Sequence, residues 1–444
     1  MRDAKKLNFK RSICSLVATV MLVCMIIIPV MPAKAAGTGG ICGDVNTSLD
    51  ESVFYSNKKP VKQDLYEKYS KGVKEAPAED FKYKDNVDGT ITITRYTNKK
   101  NKGSFKIPSY IDGKKVTALG SGEEFDGVGL KGKVVIIPDT VETINYDALS
   151  GDFFGVEVET LLIGKNVKTI DDAIHSDVIM PGAFTIKQIL VNPKNKTFYS
   201  ENGALYEKTK DGNVLFSYPN GCKKAIFEIP DGVRFLKSGC FGETKYLDKI
   251  VIGKDVEEIA VNRYSVGEDY INYITNISCD SRINSVTCFE VAKGNKTFYA
   301  KDGVLFKRKG KILVDYPRGK KDKKYTMPEG TRRIGSRAFS ENNYMTKIVL
   351  PDSLVQIDAI AFYSCDKLNA ITIPKNVKKI QGAAFYFQKF KKIIVKSKDL
   401  RFVVNGESNK YAFGGGKRRV VYLYKGSTAE KYAKSEGLNY KYIK

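Results

Sequence analysis

Three consecutive stretches near the C-terminus are written on one template: YTMPEGTRRIGSRAFSENNYMTKI, IVLPDSLVQIDAIAFYSCDKLNAI and ITIPKNVKKIQGAAFYFQKFKKI. Pro328, Pro351 and Pro374 recur at intervals of 23 residues, and so do Ile334, Ile357 and Ile380, and Phe339, Phe362 and Phe385. Earlier copies are looser. FEIPDGVRFLKSGCF carries Cys240 in the Ala place, VIIPDTVETINYDAL carries Leu149 in the Phe place, and IVIGKDVEEI and LLIGKNVKTI put Gly253 and Gly164 where proline stands elsewhere. A degenerate unit, FKIPSYIDGKKVTALG, opens the series. A fixed period of this length is the signature of a stacked array.

The period decides the fold class. One unit fixes 23 backbones, at about 1–2 kcal/mol each. Its few large apolar side chains return about 1.5–3 kcal/mol apiece. A unit alone does not fold, but stacked units share one continuous core. The alternating residues before each proline read as a short strand. Stacked in register, these strands make a parallel ladder. Proline ends each strand where no ladder donor is needed, the small Ala lets the turn approach, and the Phe fills the core. The expectation is a mostly β solenoid.

A longer repeat overlies the short one. NKTFYSENGALYEK begins at Asn195 and NKTFYAKDGVLFKR at Asn295, a hundred residues apart. Each run leads through a turn into a second apolar stretch, NVLFSYP or KILVDYP, and re-enters the array through Ile229-Pro230 or Met327-Pro328. Gly203, Gly303 and Asp211-Gly212 supply turn geometry, so hairpin insertions are expected near 192–228 and 292–325. Their role is architectural first, although insertions on solenoids also carry binding.

The motif I-P-x-x-V-x-x-I-x-x-x-A-F at 23-residue spacing, from about Phe81 to the C-terminus, resembles the BspA-type leucine-rich repeat. That resemblance implies a leucine-rich-repeat solenoid on a bacterial surface or secreted protein. It also implies an adhesin-like role toward host or extracellular ligands, with no catalytic feature. The inserted segments at 165–228 and 253–325 depart from the pattern.

The ends read as caps. Residues 81–104 form an N-terminal β cap, with Val87-Asp88-Gly89-Thr90 as a hairpin turn, and the solenoid proper runs over 105–400. A C-terminal cap occupies 401–444, where Ser427-Thr428-Ala429-Glu430 is a capping box. Ala429, Tyr432 and Ala433 then share one helix face, and Gly437 ends the helix. Residues 36–80 are polar, without periodicity, and read as a linker. Residues 1–35 combine a basic head, an apolar run from Ile13 to Met31 and Ala33-Lys34-Ala35, which is a secretory signal with cleavage near Ala35. No further apolar stretch has spanning length, so no transmembrane anchor is expected after cleavage.

Charge narrows the partners. The chain has 74 Lys and Arg against 50 Asp and Glu. Loss of residues 1–35 removes six basic and one acidic residue and leaves +19. Such a field attracts polyanions within about 8 Å at physiological salt. For an exported chain these are extracellular proteins, acidic glycans and wall polymers, and nucleic acid is not expected.

Little in the sequence points to chemistry. His175 is the single histidine, which removes His-based triads and multi-His metal sites. Gly127, Gly129 and Gly132 match G-x-G-x-x-G, but a strand follows where a phosphate site needs a helix. Glu123-Glu124 and Asp171-Asp172 lack a calcium-loop pattern. Six cysteines after the leader are too sparse for a disulfide framework; one bridge, Cys279 to Cys288, is open. No cofactor or metal is expected.

Basic runs at Lys99, Lys100 and Lys102, at Lys320, Lys321, Lys323 and Lys324, and at Lys417, Arg418 and Arg419 read as turns. Outward places on the ladder should include Ile136, Leu162, Val251, Val349, Thr372 and Ile394. Two residues before them come Val134, Thr160, Lys249, Lys347, Ala370 and Lys392. The candidate ligand-binding set is therefore Lys249, Lys347, Lys392, Val251, Val349 and Thr372, with Lys320, Lys321, Lys323 and Lys324. The leading reading is an exported, non-enzymatic binding protein; a wall-associated structural protein held by charge and a carbohydrate-acting enzyme are the alternatives.

Overall fold

Each 23-residue unit forms two strands, not one. The computed structural model describes residues 62–444 except 99, 102, 121–127, 146–147, 149–156, 172–185, 243, 262–276, 278–284, 387–390, 404–411 and 414–418. The export signal, His175, Gly127, Glu123, Glu124, Asp172, Cys279, Lys99, Lys102, Lys417 and Arg418 lie outside the described residues. The stretch before each proline builds a first parallel ladder, as Ala370–Ile373 pairs with Lys392–Val395 and that with Val420–Leu423. The stretch six residues after the proline builds a second. There Ile334, Ile357, Ile380 and Phe402 stand in register. Between the ladders the three prolines take the same place, each carbonyl accepting from the amide three residues on (Thr331, Leu354 and Val377).

The Ala-Phe pair closes the coil. Ala338, Ala361 and Ala384 are buried, and the Phe rings behind them stack along the array. Phe339 and Phe362 lie 5.0 Å apart at 2°, and Phe362 and Phe385 5.2 Å apart at 8°. This near-parallel spacing follows from coils that repeat at the strand separation of about 4.8 Å.

The described core is divided in three, and the two repeated hairpins are the partitions. Phe198–Glu201 and Ala204–Glu207 pair antiparallel, as do Phe298–Lys301 and Val304–Lys307. Asn202-Gly203 and Asp302-Gly303 all have positive φ, at 53°, 82°, 54° and 75°, which is the type I′ turn that suits strand twist. The returning strands, Asn213–Ser217 and Ile312–Asp315, then start the next run of the second ladder. Each hairpin, with its returning strand, buries apolar side chains on both of its faces. Leu205 and Phe216 face the first core, whereas Tyr206 and Leu215 face the second. Leu305 and Val314 face the second core, whereas Phe306 and Leu313 face the third.

The repeated Asn explains the repeated Asn-Lys-Thr-Phe-Tyr run. Buried Asn195 donates from Nδ2 to the carbonyls of Gly164 (2.9 Å) and Val167 (3.0 Å) in the preceding coil. Its Oδ1 accepts from the amides of Thr197 and Phe198, at 2.9 and 2.7 Å. Asn295 repeats this with the Gly253 and Val256 carbonyls and the Thr297 and Phe298 amides. The coil under each Asn is the one with glycine in the proline place. A Cβ at Gly164 would stand 2.6 Å from the Pro138 oxygen, and one at Gly253 2.5 Å from the Ile229 oxygen. Close approach of successive backbones therefore excludes side chains there. The hairpin tips also seal an edge, because the Gly203 and Gly303 carbonyls accept from the amides of Ile189 and Phe289 in the first ladder.

Caps close the described array at both ends. At the start, Phe81–Asp85 pairs antiparallel with Ile91–Tyr96, which opens the second ladder. At the end, helix α2 (Thr428–Ser435) buries Ala429, Tyr432 and Ala433, and Gly437 follows with φ of 61°. Tyr432 stacks on Phe402 at 3.9 Å. Ser427 accepts from the Glu430 amide, and Glu430 reaches back to the Gly426 amide, one residue earlier than in the standard capping box. Gly132 lies inside the strand Lys131–Ile136, so no helix follows the glycine run. The side chains of Cys222, Cys240, Cys288 and Cys365 are buried.

The linker reading of 36–80 needs correction over residues 62–80. Lys62–Ser70 form a helix, α1. The chain after it joins the array, with Ala76 donating to the Lys106 carbonyl and Lys106 to that of Lys74. Glu75 also pairs with Lys106 at 3.0 Å. Three apolar anchors in a polar stretch are too few to register as periodicity.

Two measurements test this architecture. Asn295→Asp keeps the acceptor but turns a second acceptor toward the Gly253 and Val256 carbonyls. It is expected to lower stability by about 2–4 kcal/mol in urea unfolding, and a neutral result would remove the Asn bridge from the account. Hydrogen bonds from Lys434, the Gly426 amide and Tyr442 hold the Glu430 carboxyl at about 2, below its ordinary 4.5. Its contribution is therefore complete above pH 4.5 and lost as pH falls toward 2. The melting temperature of Glu430→Gln should differ from the parent at pH 6 and converge with it at pH 2.

Candidate ligand-binding face

The outer face of the first ladder changes character along the array. In the first segment the outward side chains are Val134 and Ile136, then Thr160 and Leu162, then Gln188 and Leu190, placed by parallel pairing. Ile136 and Leu162 were expected to be exposed here, together with Val134 and Thr160. All four are buried instead. Tyr66 and Tyr69 of α1, with Val73 just beyond it, pack on Val134, Ile136, Leu162 and Leu190. Burial raises the Tyr66 hydroxyl to about 12.

In the middle segment the face neutralises itself. Ile226, Lys249 and Cys288 share one row, and Glu228, Val251 and Glu290 the next. Lys249 Nζ lies 2.7 Å from Glu290 Oε1, and Cys288 is buried beneath the Gly303 turn. Lys249 and Val251 are half-buried, so this part of the candidate set is a weak point for an anion.

The last segment differs. Lys324 pairs in register with Lys347, and Thr326 with Val349. Ala370 pairs with Lys392, and Thr372 with Ile394. The next rung brings Val420 and Tyr422. Lys324, Lys347, Ala370 and Lys392 are exposed, Val349 is 39% exposed, and Thr372, Ile394 and Tyr422 are half-buried. None of these places carries a carboxylate. Among the described residues, neither Lys324 nor Lys347 enters an ion pair. Lys392 Nζ sits 4.5 Å from the Tyr422 ring centroid, a cation–π contact that leaves its charge in place.

The turn cluster joins this face at one edge. Lys321 and Lys323 are exposed, and the Lys323 carbonyl accepts from the Thr346 and Lys347 amides, which fixes it beside the ladder. Lys320 is pulled aside, its Nζ 3.2 Å from Asp322 Oδ2. Arg419, expected in a solvated turn, is instead 4% exposed, and burial lowers its pKa. The structure thus brings together Lys323, Lys324, Lys347, Lys392, Val349 and Thr372. It leaves Lys249 and Val251 on a separate segment. Ile394 and Tyr422 complete the face; Ile394 was legible from spacing, but Tyr422 was missed because its coil lacks the proline.

Residues 212–296 and 319–413 match the family model described as a BspA type Leucine rich repeat region, in six copies. The coils within these residues are BspA-type leucine-rich repeats. The matched stretches hold the middle and last faces of the first ladder, including every candidate residue from Lys249 to Lys392. Among solved structures, the chain is similar to a leucine-rich repeat protein from Eubacterium ventriosum, at 18% identity over 78% of this chain and 77% of that one, with a TM-score of 0.45. It is also similar to the pneumococcal vaccine antigen PcpA, at 16% identity over 82% and 96%, with a TM-score of 0.41. A leucine rich cell surface protein from Faecalibacterium prausnitzii matches at 17% identity over 74% and 94%, with a TM-score of 0.37. A search of curated proteins gave no match.

The covered and bare portions of the array are experimentally separable. Tyr66→Ala with Tyr69→Ala removes the anchors of α1 but none of the ladder contacts. The double variant is expected to be cleaved between residues 62 and 73 at least tenfold faster by limited proteolysis, while the repeat array stays protected. Equal cleavage rates would show that the two tyrosines do not hold the helix.

Proposed function

We propose that this chain is an exported, non-enzymatic binding protein that acts in an adhesin-like way. It presents the outer face of its last repeat segment to extracellular proteins or acidic glycans. The observation that carries this reading is the combination of a partly exposed row (Val349, Thr372, Ile394) with lysines (Lys324, Lys347, Lys392) at equivalent places of two adjoining parallel sheets, one of Lys324–Thr326 with Lys347–Val349 and one that contains Ala370–Ile373 and Lys392–Val395. Within each sheet, rungs about 4.8 Å apart hold these side chains in register without ordering cost at the moment of contact. Contact is multivalent: each side chain adds little, and the scaffold makes the set act together. The charge of +19 that remains without residues 1–35 raises the encounter rate. Among the described residues no helix is long and apolar enough to cross a membrane, and the leader-like residues 1–35 support a secreted or surface-associated product.

A second reading rests on the same charge: a wall-associated structural protein retained on anionic polymers without a shaped site. Salt separates the two. In pulldowns of the chain lacking residues 1–35 against matrix proteins and wall polymers, a shaped interface retains measurable capture at 0.5 M NaCl, where the Debye length is only about 4 Å. Lys347→Glu with Lys392→Glu then reduces that capture. Complete loss of all capture at high salt would favour charge retention and overturn the adhesin-like reading.

A further inference from the structure

The first segment shows what this ladder face accepts. Helix α1 has nine residues and so spans about 13 Å. It lies against three rungs, Lys131–Ile136, Glu157–Ile163 and Gln188–Leu190 with Val191, through two tyrosines on one side and Val73 beyond. Three rungs at about 4.8 Å occupy a comparable width. The last segment offers three paired rungs at Thr372, Ile394 and Tyr422, with Val349 on the adjoining two-stranded sheet, so that Val349, Thr372 and Ile394 take the repeat positions that Ile136, Leu162 and Leu190 take in the first. The neighbouring row differs in charge. Where the first segment has Val134, Thr160 and Gln188, the last has Lys347, Ala370 and Lys392. The middle segment cannot serve equally, because Glu228 and Glu290 stand on its face.

We infer that the outer face of the last segment is a docking site for a short amphipathic, acidic helix of a partner protein. Its apolar side seats on Val349, Thr372, Ile394 and Tyr422, and its carboxylates meet Lys347 and Lys392. This inference rests on the binding role proposed above and names the chemistry of the partner. An apolar row beside the lysines favours a protein helix over a purely polar anionic chain, for which Val349 and Ile394 would offer nothing.

The test uses a labelled peptide of residues 62–74 carrying Lys62→Glu, Lys71→Glu and Lys74→Glu. A hydrocarbon staple across positions 64 and 68, opposite the tyrosines, keeps it helical, so weak helix nucleation does not mask binding. Fluorescence anisotropy with the chain lacking residues 1–35 should show saturable binding at 0.15 M NaCl. Affinity should fall at least tenfold for Lys347→Glu with Lys392→Glu, at least tenfold for Val349→Asp, and less than twofold for Lys249→Glu. A peptide that also carries Tyr66→Ala and Tyr69→Ala should bind at least tenfold more weakly. The inference is overturned if no binding is seen, if the face variants bind as the parent does, or if polyglutamate of equal charge binds as tightly as the stapled peptide. Capture of matrix proteins at high salt alongside failure of the peptide would remove this inference and leave the wider reading standing.

Discussion

No described coil of this protein closes its own core. A regular coil contributes two short strands, an Ala and an aromatic ring, and the ring stacks on the rings of its neighbours, as in Phe339–Phe362–Phe385. Every coil therefore depends on the next, and any interruption must present apolar surface in both directions. The two hairpins meet that demand through strand alternation: successive side chains point to opposite faces, so one strand lines two cores. Asn195 and Asn295 then satisfy two carbonyls and two amides that the change from coil to hairpin would otherwise bury unpaired.

The same stacking fixes what the surface can do. Ladder register copies each outward position from rung to rung, so a single residue type becomes a row. In the first segment the row is apolar and the chain covers it with its own helix. In the middle segment carboxylates and a lysine share the rows, and Lys249 is spoken for by Glu290. Only the last segment combines apolar and cationic rows with neither cover nor internal counter-charge among the described residues. Function is thus read from what differs between equivalent places on one scaffold.

Much of this was legible in residue spacing. The 23-residue recurrence of Pro, Ile and Phe gave the stacked array, the Asn-Gly and Asp-Gly turns gave the hairpins, and Ser427 with Glu430 gave the closing helix. The second ladder was harder to see, since its strands in the regular C-terminal units are only two or three residues long and alternate too briefly to register. The helix α1 and the residues just after it carry three anchors in a polar stretch, and the ladder residues these anchors meet are more than sixty residues away in sequence.

The sequence by itself determined that the chain repeats, which residues face inward and where the array is interrupted, because these follow from local periodicity and from the entropy that a lone unit cannot offset. Tertiary structure alone decided which outward rows are covered, neutralised or bare. Whether Ile136 is buried or Lys249 paired depends on side chains brought in from distant positions, α1 in one case and Glu290 in the other. Spacing along the chain carries no record of that contact, since burial is a property of the space around a residue and not of its place in the pattern.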